Sequence, residues 1–438
     1  MMTTHETPRP TFREALCFWL KLGFISFGGP TGQIAIMHEE IVERRKWVDE
    51  GRFLHALNYC MLLPGPEAQQ LATYLGWLLH GARGGIAAGV LFVLPSALLL
   101  WLLSYIYVTW GNLDAAKALF AGLKPAVLAI VGAAVVRIGQ KVLKNGAMWA
   151  IALLAFAGIF LLQLPFPVLI GAAALAGWFG GEFAPAQFVV VKGHGKKGVA
   201  EATAIPDAAF HRVEPTWPRA VRVMALCLAL WWVPVLLLGL WLGWRHTLVN
   251  EGIFFSKAAM VTFGGAYAVL PYVAQQAVEQ NKWLGGPQML DGLGLAETTP
   301  GPLIMVLQFV GFLGGWNQPG ALSPLLAATL GAAITTWTTF VPCFLWIFLG
   351  APHIERLREN ARLTAALSAV TAAVVGVILN LALWFGLQVL FPQRWEPDWF
   401  AVVIAGGAFA GIAWRKWNVI AVVLGAGGLG ILYKLLAS

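Results

Sequence analysis

The sequence predicts an all-α, multi-pass membrane protein built from two homologous repeats, and three observations support this fold class. Of the 438 residues, 59% are hydrophobic and only 11% are charged, which leaves too little polar surface to cover a soluble globule. Long apolar segments recur along the chain, as expected for helices that cross a bilayer. Short motifs also recur 236 residues apart, which indicates a duplication.

The duplicated motifs are helix breakers and a lysine, all set in strongly apolar sequence. The repeated pairs are Lys21 and Lys257, Phe27-Gly28-Gly29 and Phe263-Gly264-Gly265, Trp47 and Trp283, and Pro64-Gly65-Pro66 and Pro300-Gly301-Pro302. Interrupted membrane helices in related repeats are typical of substrate sites in transporters. The pattern therefore predicts a carrier.

Crossing about 30 Å of hydrocarbon takes roughly 20 helical residues. Apolar segments long enough for this crossing are predicted near 84–110, 116–137, 147–163 with 166–183, 220–244, 321–350, 363–391, 398–414 and 417–437. Shorter apolar segments stop at the breaks, at 15–27 and 53–63 in the first half and at 253–265 and 288–299 in the second. Each half therefore predicts two half-helix pairs followed by four spanning helices.

The predicted domains are a first repeat, 1–183, a linker with one extra span, 184–245, and a second repeat, 246–438. The linker begins as a charged loop, about 184–219, and its extra span places the second repeat upside down in the membrane. With the N-terminus inside, 21 basic residues fall on the cytoplasmic side and 5 outside, which satisfies the positive-inside rule. This count leaves Lys21, Lys124 and Lys257 near or within the membrane.

Several function classes are excluded by composition. The net charge of +8 does not indicate a nucleic-acid partner, because the basic residues form short clusters between apolar runs. The four cysteines lie in apolar stretches without paired spacing, and the eight histidines show no metal-binding pattern. We therefore expect no disulfide framework, no metal and no cofactor. The polar start of the chain, followed by an apolar run without a cleavage site, does not indicate a removable signal peptide.

A helix broken within the bilayer leaves backbone N–H groups unpaired at the start of the next half-helix, where anions are stabilised. Pro66 and Pro302 suit the first helical position, and Gly65 and Gly301 permit a tight turn. If the segments after the four breaks converge, their termini supply about two positive charges, which complements a dianion. The alternative is that these residues only permit kinks or close packing.

The predicted substrate-binding residues combine the breaks with nearby lysines, amides and hydroxyls. They are Lys21, Phe27, Gly28, Gly29, Pro30, Gln33, Pro64, Gly65, Pro66, Gln70, Lys257, Phe263, Gly264, Gly265, Thr298, Thr299, Pro300, Gly301 and Pro302. For the lysines the alternative is snorkelling to an interface, and for the threonines it is bonding back to their own helix. Glu67 and Glu297 are candidates for proton coupling, or for pairing with a lysine.

The residues around the breaks closely resemble the signatures of the CHR family of chromate transporters. The N-terminal signature matches 20–30, with Gln33 and Trp47, and 63–76, whereas the C-terminal signature matches 262–265 and 299–302. The resemblance covers nearly the whole chain and implies the long, two-domain type. Ala266 departs from the pattern, because a third glycine is expected there.

The resemblance implies export of chromate from the cytoplasm across the bacterial inner membrane, driven by an ion gradient, with chromate resistance as the outcome. The resemblance leaves open whether the coupling ion is a proton or an exchanged anion. It also leaves open whether the protein forms a homodimer. Sulfate is an alternative substrate, because both ions are tetrahedral dianions of similar size. A membrane-embedded enzyme is less favoured, because no His, Asp or Cys cluster has catalytic spacing, and the chain lacks a nucleotide-binding phosphate loop.

Overall fold

The chain folds as an all-α protein in the computed structural model. The structure describes residues 10–27, 29–111, 113–188, 216–263, 265–351, 361–392 and 396–437. Two glycines of the predicted breaks, Gly28 and Gly264, lie outside these ranges, as does most of the predicted linker loop.

The first repeat contains short helices around the breaks, followed by longer ones. They are α1 (Phe12–Ile25), α2 (Gly29–His38) with a π-helix (Glu39–Arg44), α3 (Glu50–Cys60), α4 (Glu67–Trp110), α5 (Asp114–Val142), α6 (Gly146–Phe160), α7 (Phe166–Phe183) and the short α8 (Pro185–Phe188). A single long helix, α9 (Trp217–Leu242), then leads to the second repeat.

The second repeat follows the same order. Its elements are α10 (Thr247–Val261), α11 (Ala266–Ala274) with a π-helix (Gln275–Gln280), α12 (Gly286–Thr298), a 3₁₀ turn (Leu303–Met305), α13 (Val306–Asn317), α14 (Pro324–Gly350), α15 (Ala361–Leu390), α16 (Trp399–Ala413) and α17 (Val419–Ala437). Thus α10 to α12 repeat α1 to α3, and α15 to α17 repeat α5 to α7.

The sequence explains where the helices begin and end. Thr11 and Glu14 form a capping box at the start of α1, and the Asp49 side chain caps α3. All four predicted breaks are confirmed, because α1, α3, α10 and α12 end just before the glycine and proline motifs. One detail of the prediction is wrong: Pro66 and Pro302 occupy the cap position itself, one residue before the first helical position.

The apolar helices fit a membrane protein. Seven of those in the described residues are long and apolar enough to cross a bilayer: α4, α5, α7, α9, α14, α15 and α17. Helices α6 and α16 each have 15 residues, which corresponds to about 22 Å of helix and is shorter than the predicted spans. Helix α4 is kinked, because His80 and Gly81 depart from helical dihedral angles.

The duplication extends to backbone irregularities. Both repeats contain a π-helix at equivalent positions, and each π-helix is followed by a lysine with positive φ, 51° at Lys46 and 53° at Lys282. The long helices are exchanged between repeats: α5 packs against α16 and α17, whereas α15 packs against α6 and α7. The two repeats therefore form one intertwined body, and their inverted orientation in the membrane stays a prediction.

Candidate functional site

The four helix breaks lie together at the centre of the protein. The backbone N–H of Gly65 donates to the carbonyl of Thr262 at 2.8 Å, and the N–H of Gly301 donates to the carbonyl of Ser26 at 2.6 Å. These bonds are equivalent in the two repeats, so each Pro-Gly-Pro turn binds the residue that precedes the other repeat's Phe-Gly-Gly. The N–H groups of both Pro-Gly-Pro glycines are thus paired across the two repeats.

Buried amide side chains hold this junction together. Gln33 Nε2 donates to the carbonyl of Gly301, and Gln70 Nε2 donates to the carbonyl of Pro64 at 2.8 Å. The Oε1 atoms of both amides are buried without a hydrogen-bond partner among the described residues. Each bond uses one of the two N–H groups of its amide, so these glutamines support the breaks, and their part in anion binding stays a prediction.

The glycines of the two Pro-Gly-Pro turns leave no room for a side chain. Gly65 and Gly301 have φ values of 116° and 104°, which L-residues rarely adopt. A Cβ on Gly65 would lie 2.8 Å from Cys343 Sγ, and one on Gly301 would lie 2.4 Å from Ser96 Cβ. Close approach of the two repeats therefore requires glycine at both positions.

A partly open cavity of about 320 Å³ lies beside the junction, toward the C-terminal end of α5. Both repeats contribute to its wall. Its lining residues are Pro30, Asn58, Met61, Leu62, Glu67, Arg137, Ile138, Lys141, Val142, Phe263, Gly265, Ala266, Tyr267, Thr364, Leu367 and Thr371. The cavity is large enough for a small oxyanion with water.

Opposite charges face this cavity. Arg137 and Lys141 are one helical turn apart and therefore share a face of α5. Glu67 lies across from them, beside the N-terminus of α11, because a Cβ on Gly265 would be 3.6 Å from Glu67 Oε1. The first N–H groups of a helix attract negative charge, so the Glu67 carboxylate already occupies a favourable anion position.

A second carboxylate lies behind the cavity wall. Tyr267, which lines the cavity, donates its hydroxyl to the buried Glu297, and the charge of Arg137 acts on the same carboxylate. The neighbouring hydroxyls turn back to their own helix: Thr298 donates to the carbonyl of Leu295 at 2.9 Å and Thr299 donates to that of Ala296 at 3.1 Å. This is the alternative that the sequence left open for the two threonines.

The sequence matches the chromate transporter family over residues 13–178 and 250–431. The chain belongs to that family. A chromate transport protein of Pseudomonas aeruginosa is 33% identical over 98% of this chain and 94% of its own length. One from Cupriavidus metallidurans is 29% identical over 86% of this chain and 83% of its own. No solved structure matches the chain. The protein is thus a multi-pass bacterial membrane protein of an anion transporter family.

In this transporter, most of the predicted site residues that the structure describes fall into two groups. Pro30, Glu67, Phe263 and Gly265 line the cavity. The remaining described residues of the breaks belong to the junction beside it: Phe27, Gly29, Gln33, Pro64, Gly65, Pro66, Gln70, Pro300, Gly301 and Pro302.

The two duplicated lysines lie outside both groups. Lys21 is 54% exposed, lies 3.8 Å from Glu40 Oε1, and lines a surface depression with Arg13 and Arg45. Lys257 is exposed on α10. Neither is among the residues that line the cavity. Their part in anion binding stays a prediction.

Sequence reasoning missed the polar residues that line the cavity from the long helices. Arg137 and Lys141 are two of the 21 basic residues counted on the cytoplasmic side, and their spacing of four residues on an apolar helix indicates one shared face. Thr364 and Thr371 are seven residues apart on α15, which is two helical turns. That signal becomes visible only once α5 and α15 are known to flank the same cavity.

Proposed function

We propose that the protein exports chromate from the cytoplasm as a secondary transporter, and that the cavity is its cytoplasm-facing anion site. The supporting observation is the pair Arg137 and Lys141, which faces the junction of broken helices across the cavity. The amide of Asn58, which also lines the cavity, adds neutral N–H donors, whereas the hydroxyls of Tyr267 and Thr371 already donate to Glu297 and to the Leu367 carbonyl. Two positive charges with neutral donors suit a tetrahedral dianion.

The position of the cavity supports export. Arg137 and Lys141 lie near the C-terminal end of α5, which the distribution of basic residues assigns to the cytoplasmic side. An anion in the cytoplasm therefore reaches the cavity directly. The names of the bacterial relatives favour chromate, whereas the chemistry of the cavity suits sulfate equally well.

The membrane potential is a sufficient driving force for such export. Moving one elementary charge across 100 mV is worth about 2.3 kcal/mol, so a dianion that leaves a negative interior without a co-transported proton gains about 4.6 kcal/mol. This corresponds to a concentration ratio of roughly 2,000-fold. Export of a dianion therefore needs no nucleotide hydrolysis.

Glu67 is the proposed coupling residue, because its carboxylate and a bound dianion compete for the N-terminus of α11. The charged groups that face Glu67 are Lys141 and Arg137 on α5, and Glu297 lies behind Tyr267 on the far wall. The ionised Glu67 carboxylate repels a dianion. When Glu67 is protonated, Arg137 and Lys141 are free to neutralise the charge of the substrate. Anion binding and proton binding are thus expected to support each other.

Anion binding by purified protein tests the proposal. We expect Arg137→Met and Lys141→Met each to weaken sulfate and chromate binding about tenfold, since each removes one charged contact. Lys144→Met is the matched control, because Lys144 follows α5, is exposed, and is not among the lining residues. Binding by both cavity variants as tight as that of the control would reject the cavity as the anion site.

A further inference from the structure

An ion pair with a buried carboxylate lies outside the cavity lining, nearer the N-terminal end of α5. Lys124 Nζ of α5 lies 3.5 Å from Asp291 Oδ1 of α12, and the Tyr107 hydroxyl of α4 donates to Asp291 Oδ2 at 2.9 Å. The Asp291 side chain is only 6% exposed, and that of Lys124 is 28% exposed. Charged groups inside a membrane are costly and are usually functional.

Contacts between the exchanged helices fix which residues of α5 and α15 are equivalent. A Cβ on Gly430 would lie 2.3 Å from the Ala118 carbonyl oxygen, and a Cβ on Gly177 would lie 2.6 Å from the Ala365 carbonyl oxygen. These mirrored contacts pair Ala118 with Ala365, 247 residues later. The same offset pairs Lys124 with Thr371, which lines the cavity.

Lys124 therefore occupies, in the other half of the protein, the position of a residue in the cavity wall. Helix α12 is likewise the equivalent of α3, and its Gly294 corresponds to Asn58, 236 residues earlier. On the cavity side, the open space lies between Asn58 of α3 and Thr371 of α15. Helices α5 and α12 beside Lys124 are thus the equivalents of α15 and α3, which form the cavity wall.

This second wall is closed. Helix α12 packs directly against α5, since a Cβ on Gly294 would lie 3.4 Å from Val127 Cγ2. The Tyr107 ring packs edge-on against Phe120 and Phe309, with ring centres 5.2 and 5.3 Å away. The structure thus contains one open and one closed copy of the same pair of helices.

We propose that Lys124 is a second anion-binding residue, which binds the transported oxyanion on the side opposite the cavity mouth when α12 separates from α5. Asp291 is its resident anion in the closed arrangement. Separation without substrate would leave Lys124 unpaired within the membrane, whereas a tetrahedral dianion takes the place of the carboxylate. Tyr107, released from Asp291, offers its hydroxyl to the same ligand. This inference rests on the proposed function.

Accessibility of a single cysteine tests the inference in proteoliposomes. In a protein without its four native cysteines, Gly294→Cys is labelled with a membrane-impermeant maleimide from the side opposite the cavity mouth. Sulfate is the probe, because chromate oxidises thiols. We expect sulfate to slow the labelling, and Lys124→Met to raise the sulfate concentration needed for protection by about ten- to a hundredfold. Lys124→Arg keeps the charge and should retain protection.

Asp291→Asn provides the independent arm. It removes the competing carboxylate, so labelling of Gly294→Cys should be faster and protection should need less sulfate than in the parent. Lys434→Met is the matched control: it breaks an exposed pair, Lys434 with Asp114 of α5 at 3.0 Å, and should change neither quantity. Protection at the parent concentration in Lys124→Met would overturn the inference. So would an Asp291→Asn protein that labels and responds to sulfate like the parent, even if Lys124→Met fails to insert.

The same protein distinguishes this inference from the proposed function. Met61→Cys, labelled from the cavity side, reports sulfate binding in the cavity itself. Protection at Met61→Cys but not at Gly294→Cys rejects the second position alone, whereas protection only at Gly294→Cys rejects the cavity.

Discussion

The two halves of the junction share their backbone but differ in their side chains. Both use positive-φ glycines and the same pair of reciprocal hydrogen bonds. The first repeat adds Gln33, Glu67 and Gln70, whereas the equivalent positions of the second repeat are Val269, Leu303 and Val306. Polar groups thus gather on one side of a nearly symmetric frame. Breaking the frame should abolish transport, and changing the side chains should alter only affinity or pH dependence.

The largest effect is expected where the shared frame is broken. Gly301→Ala places a Cβ 2.4 Å from Ser96 Cβ at a φ of 104°, so we expect a loss of about 3 kcal/mol or more in folding stability. Little monodisperse protein should survive size-exclusion chromatography. Gly171→Ala in α7 is the matched change, because a Cβ there meets nothing within 4 Å. Normal yield and stability of Gly301→Ala would show that the junction tolerates separation.

The next largest effect is expected at the basic residues of the cavity, and it should exceed the effect at the duplicated lysines. Because Arg137 lines the cavity and Lys21 does not, we expect Arg137→Met to weaken sulfate binding about tenfold and Lys21→Met to weaken it less. Isothermal titration of both variants and of Lys257→Met checks the order. If the two lysine variants lose ten- to a hundredfold in affinity while Arg137→Met binds normally, the duplicated lysines form the anion site.

The helix breaks were predictable from the sequence because glycine and proline determine the local backbone conformation by themselves. The positions where α1, α3, α10 and α12 end follow from these residues alone. The cavity was not predictable, because its wall depends on α5 and α15 crossing between repeats, a packing that no local pattern encodes. Arg137 and Lys141 have the composition of a cytoplasmic flank, and only the structure shows that they line the same cavity as Gly265.

A smaller effect is expected on pH dependence. In the parent, ionised Glu67 repels a dianion, so affinity should fall as pH rises through the titration of Glu67, by roughly tenfold or more. Glu67→Gln carries no charge and should bind tightly with a flat profile. Glu297→Gln should keep the parent slope, because Tyr267 separates that carboxylate from the cavity. A parent-like slope in Glu67→Gln would remove its coupling role, and a flat profile in Glu297→Gln would transfer that role to Glu297.

The smallest effect is expected from cysteine substitutions that report the orientation of the two repeats and leave the cavity unchanged. Glu50 and Gly285 are near-equivalent positions at the starts of α3 and α12. In a cysteine-free background, Glu50→Cys should react only from the cytoplasmic side and Gly285→Cys only from the outside, with transport unchanged. Labelling of both cysteines from the same side would show that the two repeats have parallel orientations in the membrane and are not inverted.

We expect an oxyanion to bind between the basic face of α5 and the start of α11, and the position of bound chromate in a crystal is the decisive measurement. Chromium scatters X-rays anomalously, so a chromate-soaked crystal reports the ion's position independently of the protein. We predict a peak within hydrogen-bond distance of Arg137 or Lys141 and beside Gly265, absent from crystals of Arg137→Met. A peak at Lys21 or Lys257, with no peak in the cavity, would show that the oxyanion does not bind between α5 and α11.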